Sequence, residues 1–543
     1  MKKVAAFVVL ALGFPGFSPA AEPTRLYLAN DDHTDYMWLA DEATYDRVFQ
    51  EMIDFNLRLT ERTKENPPPF QHRFNLDGSY WLWAYEKNRT PAEFARVIGA
   101  LKSGHLSAPL TALVSCYGGQ PVEAVLRGMY YAGRLERKHG LHFTQAVAVE
   151  NRTLPLGLAS LWAGSGARYT WRGQCESASR IPSRERDHEI YWATGHDGQR
   201  VLMKWHTWVG AFTSGGYAEA FDPRKAVAFL DGDPKFLARY HPPGSAEPYS
   251  IRAAFGFGWD ALDRKTGEPY PADPKTYPVT EHFHDVAKSL TTAGRQVIVS
   301  NQEDFFRDFE AKYGGRLPTD TLAYGNQWDL YSASMAETSS RVRRSVEKLR
   351  SAEALSTVVS LTRSDFLRGR ETARDQAFMN LGLYWEHDWT ADGAIHREDR
   401  AAWEEKLAGQ IETYVDRLHA DAATELGALI SSTDSGQKFY AFNPLGWTRT
   451  DAADFRYDGL EDIHVRDLAV GADVPHQFER RDGKPFLRIL APNVPAIGYK
   501  VFAILPGPGT APTESAAQVS GPKNRDFENA RVRLVLEDDG GIA

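Results

Sequence analysis

The sequence LYLANDDHTDYMW, residues 26–38, decides how the rest of the chain is interpreted. Its apolar start predicts a first β-strand, and the aspartate-rich part that follows cannot continue a buried strand. In α/β domains, functional groups collect at the carboxyl ends of strands. His33 and Asp35 are suitable ligands for Zn²⁺ and point to one side of an extended segment, since residues i and i+2 share a face. Trp38 is placed to stack on a sugar ring. The alternative interpretation is a solvated loop rich in aspartate.

The length and composition of the chain indicate how many domains it has and exclude some classes of binding partner. A chain of 543 residues exceeds the roughly 250–300 residues of a single hydrophobic core, so two or three domains are expected. A net charge of −9 and an isoelectric point near 6.0 argue against a nucleic-acid or anionic-membrane partner, which would favour a basic surface. The 14 tryptophans and 23 tyrosines suit a protein that stacks on sugar rings, although large cores also contain many aromatic residues.

The first 21 residues have the pattern of a secretory signal peptide. Two lysines precede an apolar run over 4–14, and small residues follow at 18–21. The run is too short to span a bilayer, and no later segment is apolar enough to do so. We therefore expect a periplasmic or extracellular protein. Its two cysteines, Cys116 and Cys175, provide no disulfide framework, although one bridge between them is possible.

Three regions follow the predicted signal peptide. Over 22–320, short apolar runs alternate with amphipathic helical stretches, which predicts a mostly parallel, distorted barrel-like α/β domain; one of its strands is expected over 108–115. Two long helical patterns, about 334–362 and 397–431, predict a central helical bundle over 321–432. Residues 433–543 predict a β-sandwich region that looks truncated. The expected fold class is therefore a multidomain α/β, α and β protein.

Polar or aromatic groups follow several of the predicted strands in the α/β domain. Because such groups meet at one edge of a parallel sheet, they are expected to line one crevice. They are His33, Asp35, Asp77, Cys116, Arg172, His206 and Asp260.

Four segments match, in order, the motifs of one known family. HTDYMW at 33–38 looks like the motif H-N-D-P-G-W, and WEHDWTADG at 385–393 is similar to Q-H-H-D-A-I-T-G-T. FYAFNPLGW at 439–447 looks like F-N-P-L-x-W, and the stretch 528–541 looks like L-E-N…D-x-x-G-G. From about residue 26 onward the chain thus resembles glycoside hydrolase family 38, the retaining zinc-dependent α-mannosidases.

The resemblance implies a set of site residues. His33, Asp35 and His387 would bind zinc, with Glu386 standing where the family has another histidine. Zinc in this family binds the 2- and 3-hydroxyls of the sugar, and so favours a distorted ring.

Further residues take their roles from the same resemblance. Trp38, Arg172 and Asp388 would contact the substrate, and Asp260 falls where the family has its general acid/base aspartate. Asp260 has the alternative interpretation of a strand-end aspartate that caps a turn, and Arg172 that of a surface arginine.

One position departs from the family. Its nucleophile, which is also the fourth metal ligand, is an aspartate, and Cys116 occupies that position here. A thiolate can bind zinc and act as a nucleophile. Cys116 would then be ligand and nucleophile, or ligand only in an enzyme of different sugar chemistry, or part of a site that binds sugar without cleaving it. The plain alternatives are a buried cysteine or a bridge to Cys175.

The leading hypothesis is a secreted zinc-dependent glycoside hydrolase of the α-mannosidase type, acting on terminal sugars of oligosaccharides or glycans. One competing hypothesis is a catalytically silent carbohydrate-binding relative. The other is a zinc-dependent sugar enzyme of changed specificity, such as another glycosidase or a lyase.

Overall fold

The structure is a computed structural model that describes residues 22–542 except 148, 151–152, 174–187, 206–218, 221, 257–277, 322, 326, 390–392, 432–435, 512–517, 521–524 and 530–531. The chain divides into two compact units. One consists of Met1–Arg343 with Thr372–Glu412, and the other of Arg344–Glu371 with Thr413–Ala543. The domain boundaries expected at 320 and 432 stay a prediction.

The helices of the described part alternate with strands up to residue 320 and then become longer. The α-helices are α1 (Glu42–Thr63), α2 (Ser79–Asn88), α3 (Pro91–Lys102), α4 (Val122–Gly128), α5 (Tyr130–His139), α6 (Leu158–Gly164), α7 (Pro223–Gly232), α8 (Pro234–Leu237), α9 (Pro278–Leu290), α10 (Gln302–Tyr313), α11 (Ala336–Ser360), α12 (Glu371–Leu383) and α13 (Arg397–Leu429). Short 3-10 helices cover Pro68–Phe70, Gly314–Arg316 and Gln327–Met335.

The strands are short in the first unit and longer in the second. They are β1 (Thr24–Ala29), β2 (Phe74–Asn75), β3 (Leu106–Ser107), β4 (Tyr169–Arg172), β5 (Ile190–Thr194), β6 (Arg200–Trp205), β7 (Ile251–Phe255), β8 (Arg295–Ser300), β9 (Thr319–Asp320), β10 (Lys438–Asn443), β11 (Arg449–Arg456), β12 (Ile463–Asp467), β13 (Ala472–Val474), β14 (His476–Arg481), β15 (Lys484–Val494), β16 (Gly498–Pro506), β17 (Gln518–Ser520), β18 (Asp526–Glu528) and β19 (Arg533–Val535).

Strand β1 is the centre of a parallel sheet in the first unit. It pairs with β7 on one side and β8 on the other, so that Leu26 lies opposite Arg252 and Val297. Sheets β2-β3 and β4-β6-β5-β9 accompany it, and in all three the pairing is parallel except between β5 and β6. No sheet closes on itself among the described residues. The chain is thus a mixed helix and sheet protein with several open sheets, while the barrel-like arrangement stays a prediction.

The core of the first unit holds the end of β1 in place. Leu26, Leu28 and Ala29 are fully buried, and Phe305 and Phe306 of α10 belong to the same apolar cluster. Burying a side chain of this size contributes about 1.5–3 kcal/mol. The polar residues that follow β1 therefore begin at a fixed point, the carboxyl edge of a buried parallel sheet.

The prediction of a strand over 108–115 is wrong in its bounds. Only Leu106–Ser107 forms a strand, β3, which pairs with β2. The chain that follows pairs instead with the segment at 385–387: Cys116 N donates to Trp385 O at 2.8 Å, and His387 N donates to Val114 O at 3.1 Å. Its backbone groups are thus satisfied by a segment distant in sequence, which no local pattern reveals.

The helix α12 was not expected. Every residue from Ala377 to Leu383 is buried, so the apolar stripe that marks an amphipathic helix is absent. A helix that is enclosed on all sides gives no such periodicity. Its carboxyl end leads directly into the segment that carries His387.

The second unit contains two antiparallel sheets, β10-β16-β12-β13 and β11-β15-β14, and a small sheet β17-β18-β19. Val465 and Phe502 of the first sheet share one core with Leu487 and Ile489 of the second. The β-sandwich interpretation of this region stays a prediction. No helix among the described residues is long and apolar enough to cross a membrane.

Candidate metal centre

Four buried side chains converge on one point in the first unit. They are His33, Asp35, Glu150 and His387, and their ligand atoms all lie within 4.8 Å of one another. The Nε2 atoms of the two histidines are 3.1 Å apart. Glu150 Oε2 lies 2.7 Å from the first of these nitrogens and 2.6 Å from the second. Asp35 Oδ1 lies 2.9 Å and 3.7 Å from the same two atoms.

These separations of 2.6 to 3.7 Å approach those of a tetrahedral zinc site, and the shortest of them would lengthen by about 0.8 Å around an ion. Ligands about 2.1 Å from one ion lie roughly 3.4 Å from each other. Three of the four residues, His33, Asp35 and His387, are ones that the sequence predicted as ligands. They come from segments more than 350 positions apart in the chain, which a chance loop composition would not bring together.

The first two residues are held by the segment that follows β1. Tyr45 of α1 donates its hydroxyl to Asp35 O at 2.5 Å, and Trp38 N donates to the same carbonyl at 3.1 Å. Met37 adopts φ 62°, a left-handed conformation that reverses the chain there. Thr34 N donates to Asp77 Oδ2 at 2.9 Å, so the segment is also fixed to the chain after β2.

Glu150 was missed by the sequence interpretation, although a signal for it existed. It directly follows the apolar run at 145–149, where the rule of polar groups at strand ends applies. It adopts φ 64°, which costs a residue with a Cβ atom of order 1–3 kcal/mol. Its amide donates to Gly173 O at 2.5 Å. Because strained backbone persists where the surroundings determine it, this conformation marks Glu150 as a functional candidate.

The outer nitrogen of each histidine faces a carboxylate. His33 Nδ1 lies 3.5 Å from Asp77 Oδ2, and His387 Nδ1 lies 2.6 Å from Glu386 Oε1. Metal-binding histidines almost always have such a partner, which fixes the ring and leaves Nε2 for the metal. The predicted crevice residue Asp77 therefore belongs to the centre.

The electrostatics of the group favour positive charge. Burial lowers the pKa of His33, but the Glu150 and Asp35 carboxylates outweigh it and raise that pKa well above its usual value. Burial also lowers the pKa of His387, and Asp388 and Glu386 more than compensate. For Glu150, burial raises the pKa, and the two facing imidazoles bring it below its usual range.

A divalent cation fits this donor set. Two carboxylates and two neutral imidazoles carry a charge of −2, which balances such an ion. Nitrogen and oxygen donors in these numbers suit Zn²⁺, and the four residues are buried with their ligand atoms already gathered.

Cys116 lies beside the centre and outside the group of four. Its Sγ contacts His387 O at 3.7 Å, and the side chain is a free, buried cysteine. Burial raises the pKa of its thiol well above the usual value, and Asp329 and Glu386 raise it further. A neutral thiol is a poor ligand and a poor nucleophile. The geometry thus favours Glu150 over Cys116 as the fourth ligand, and the roles expected of Cys116 stay predictions.

The expected substrate contacts have different surroundings. Asp388 is buried, and its Oδ2 lies 4.0 Å from His387 Nε2 without a hydrogen-bond partner among the described residues. Trp38 is partly exposed. Arg172 is buried and donates from one guanidinium nitrogen to Thr153 O at 2.7 Å; burial lowers its pKa to about 10. Asp388 is thus close to the ligand His387 in space, and Trp38 is close to the ligand Asp35 in sequence.

An aromatic side chain that had no assigned role also contacts the centre. The ring of Trp328 lies 6.0 Å from that of His387, and it stacks on Tyr331. Its neighbour Asp329 accepts hydrogen bonds from Gly118 N at 3.0 Å and from Thr153 Oγ1 at 2.8 Å. The 3-10 helix Gln327–Met335 therefore forms one wall beside the ligands.

Three residues of the sequence interpretation lie outside the described residues. They are Asp260, His206 and Cys175. The general acid role of Asp260 and the pairing of Cys175 stay predictions.

Among the solved structures that are similar to this chain, two illustrate the likeness. One is an α-mannosidase from Enterococcus faecalis V583, with a TM-score of 0.66 and 16% identity over 96% of this chain and 60% of that one. The other is a protein of glycosyl hydrolase family 38 from Enterococcus faecalis, with a TM-score of 0.61 and 16% identity over 96% of this chain and 58% of that one. No protein-family model and no curated protein matches the chain.

The likeness concerns the fold, because an identity of 16% is too low to transfer an activity. The chain spans about 60% of the length of the first of these structures. It shares the fold of an α-mannosidase and of a family 38 glycosyl hydrolase.

Proposed function

We propose that the chain is a zinc-dependent glycoside hydrolase of the α-mannosidase type, acting on terminal sugars of oligosaccharides or glycans. The observation that carries this proposal is the convergence of His33, Asp35, Glu150 and His387 within 4.8 Å, on a fold shared with an α-mannosidase. These four residues would hold the ion. When bound, zinc would polarise sugar hydroxyls and favour the distorted ring of the transition state.

The chain's own residues supply the remaining functions. Retaining glycosidases need a carboxylate nucleophile and a general acid. Glu150 is the carboxylate, besides Asp35, that lies among the candidate ligands, so we assign it the nucleophile role that the family gives to a metal-bound aspartate. Asp388 would accept a hydrogen bond from a sugar hydroxyl, and Asp260 would protonate the leaving oxygen.

A second candidate function is sugar binding without hydrolysis. The observation in its favour is the burial of Cys116, which raises the pKa of its thiol well above the usual value, at the position where the resemblance puts the family's nucleophile. A site that keeps its ion and loses that carboxylate would bind sugars and release them unchanged.

We also propose that the protein is exported to the periplasm or the exterior. The support is the pattern of its first 21 residues, with a basic start, a short apolar run and small residues.

The test is incubation of the purified full chain with aryl α-mannosides and a panel of other aryl glycosides, with zinc or with a chelator. We expect zinc-dependent release of the aryl group from α-mannosides. Sugar binding by calorimetry without any release would favour the second candidate. Equal release with and without chelator would contradict the metal-dependent mechanism.

A further inference from the structure

One buried arginine joins the two segments that carry the candidate ligands. Arg400 of α13 is 3% exposed. It donates from Nη1 to Tyr36 O at 2.6 Å, one residue beyond Asp35. It donates from Nη2 to Glu386 Oε2 at 2.8 Å, one residue before His387. A single planar guanidinium thus sets the spacing of the segments that follow β1 and α12.

The carboxylate of Glu386 is fully engaged outside the metal centre. Oε1 lies 2.6 Å from His387 Nδ1, and Oε2 accepts from Arg400 and from Asp388 N at 3.2 Å. Glu386, His387 and Asp388 also form a compact group that a metal ion could occupy by distance alone. The positive charge of Arg400, 2.8 Å from Oε2, already neutralises this carboxylate and disfavours a second cation beside it. Glu386 therefore acts on the ring and not on the metal.

The third donor of the guanidinium completes the arrangement. Arg400 Nε donates to Glu404 Oε1 at 3.1 Å, one turn further along α13. Both carboxylates are fully buried, so the arginine has three anchors and almost no exposure to bulk water. Replacing a whole buried ion pair by apolar residues is often neutral for stability, because desolvation offsets the attraction between the charges, whereas removing one partner alone is strongly destabilising. Because Arg400 lies between the two segments that carry the candidate ligands, its ion pairs also fix the positions of those segments.

We propose that Glu386 and Arg400 are positioning residues: together they fix the rotation of the His387 ring and its distance from Asp35, and they thereby set the affinity of the centre for its metal. This inference rests on the metal centre of the proposed function. A histidine ring held by a charged acceptor keeps Nε2 aimed at the ion, and loss of such a partner typically lowers metal affinity about 10- to 100-fold.

The experiment compares zinc dissociation constants, by competition with a chromogenic chelator, in the unaltered full chain and in Glu386→Gln, Arg400→Met and the double variant. Glu386→Gln keeps the shape and one acceptor but removes the charge. Each single change should weaken zinc binding about 10- to 100-fold, and the double variant by less than the product of the two, because both act through the same ring. Arg400→Lys, which retains the charge, should recover part of the affinity.

The matched control is Arg341→Met. Arg341 of α11 also makes ion pairs with two glutamates of α13, Glu405 and Glu412, but it contacts none of the ligand segments in the described structure. The Arg341→Met variant should bind zinc with the affinity of the unaltered protein. Unfolding of the metal-free variants separates a loss of fold from a loss of metal affinity. If Arg400→Met does not fold, the zinc affinity of Glu386→Gln decides whether the positioning role holds, and Arg400→Lys serves as the conservative variant.

The outcomes are distinguishable from a failure of the proposed function. A zinc affinity of folded Glu386→Gln equal to that of the unaltered chain would overturn the positioning role and leave the metal centre intact. An unaltered chain that binds no zinc would overturn both.

Discussion

Replacing Glu150 is the sharpest test of the candidate ligand set, because the sequence resemblance did not predict this residue. Four-ligand structural zinc sites contribute about 10–16 kcal/mol, so an equal share for one ligand is about 2.5–4 kcal/mol. At 1.4 kcal/mol for each factor of ten, Glu150→Ala should weaken zinc binding about 60- to 700-fold. Glu150→Gln keeps a neutral oxygen and should lie between this variant and the unaltered protein.

The left-handed backbone of Glu150 allows a second prediction, which concerns the stability of the metal-free protein and not its affinity for zinc. Glycine adopts φ 64° without strain, whereas alanine does not, so metal-free Glu150→Gly should be about 1–2 kcal/mol more stable than metal-free Glu150→Ala. Both should bind zinc equally weakly. Denaturant unfolding of the metal-free forms measures the first quantity, and chelator competition measures the second.

The control for Glu150 is Glu189→Gln. Glu189 is similarly buried and forms an ion pair with Arg239, outside the group of four. This variant should bind zinc as the unaltered protein does. A Glu150→Ala variant that binds zinc with unchanged affinity would refute the assignment of Glu150 as a ligand.

Three further predictions concern other residues. Asp260→Asn should abolish hydrolysis and leave zinc content unchanged; activity with a poor leaving group would show the assignment to be wrong. Cys116→Ala should retain zinc, and native Cys116 should react slowly with iodoacetamide at pH 8, because burial raises its thiol pKa; rapid alkylation would contradict this. Burial, together with a smaller effect of nearby His284 and His105, lowers the pKa of His72 from 6.5 to about 3. The unfolded chain therefore binds more protons between these values, and the stability due to His72 is lost as the pH falls below 6.5, by about 2 kcal/mol at pH 5. His72→Gln should unfold with a weaker dependence on pH over this range, and an unchanged dependence would contradict the shift.

The sequence predicted the parts of the site that have local signals. His33 and Asp35 follow a strand with a clear apolar pattern, and His387 belongs to a motif that resembles one family. Glu150 had the same strand-end signal, but the described residues of the run before it contain an isolated bridge, at Gln145, and no strand.

Other features have no local signal. In the sequence, Arg400 cannot be distinguished from other charged residues of a long helix. Its proposed role depends on contacts with Tyr36, which is far away in sequence, and with Glu386, which lies outside α13. The second half of helix α12, from Ala377 to Leu383, is buried on all sides, so it lacks the periodicity by which a helix is recognised. The partner of the segment that ends at Cys116 is likewise set by tertiary contacts, with residues 385–387.

The most direct measurement is a zinc titration of the chelator-stripped full chain while the hydrolysis of an aryl α-mannoside is followed. We predict that hydrolysis is absent without metal, rises in proportion to added zinc and reaches its maximum at one zinc for each chain. Hydrolysis by the stripped protein at the full rate, or a chain that binds one zinc and hydrolyses no aryl glycoside, would contradict the account.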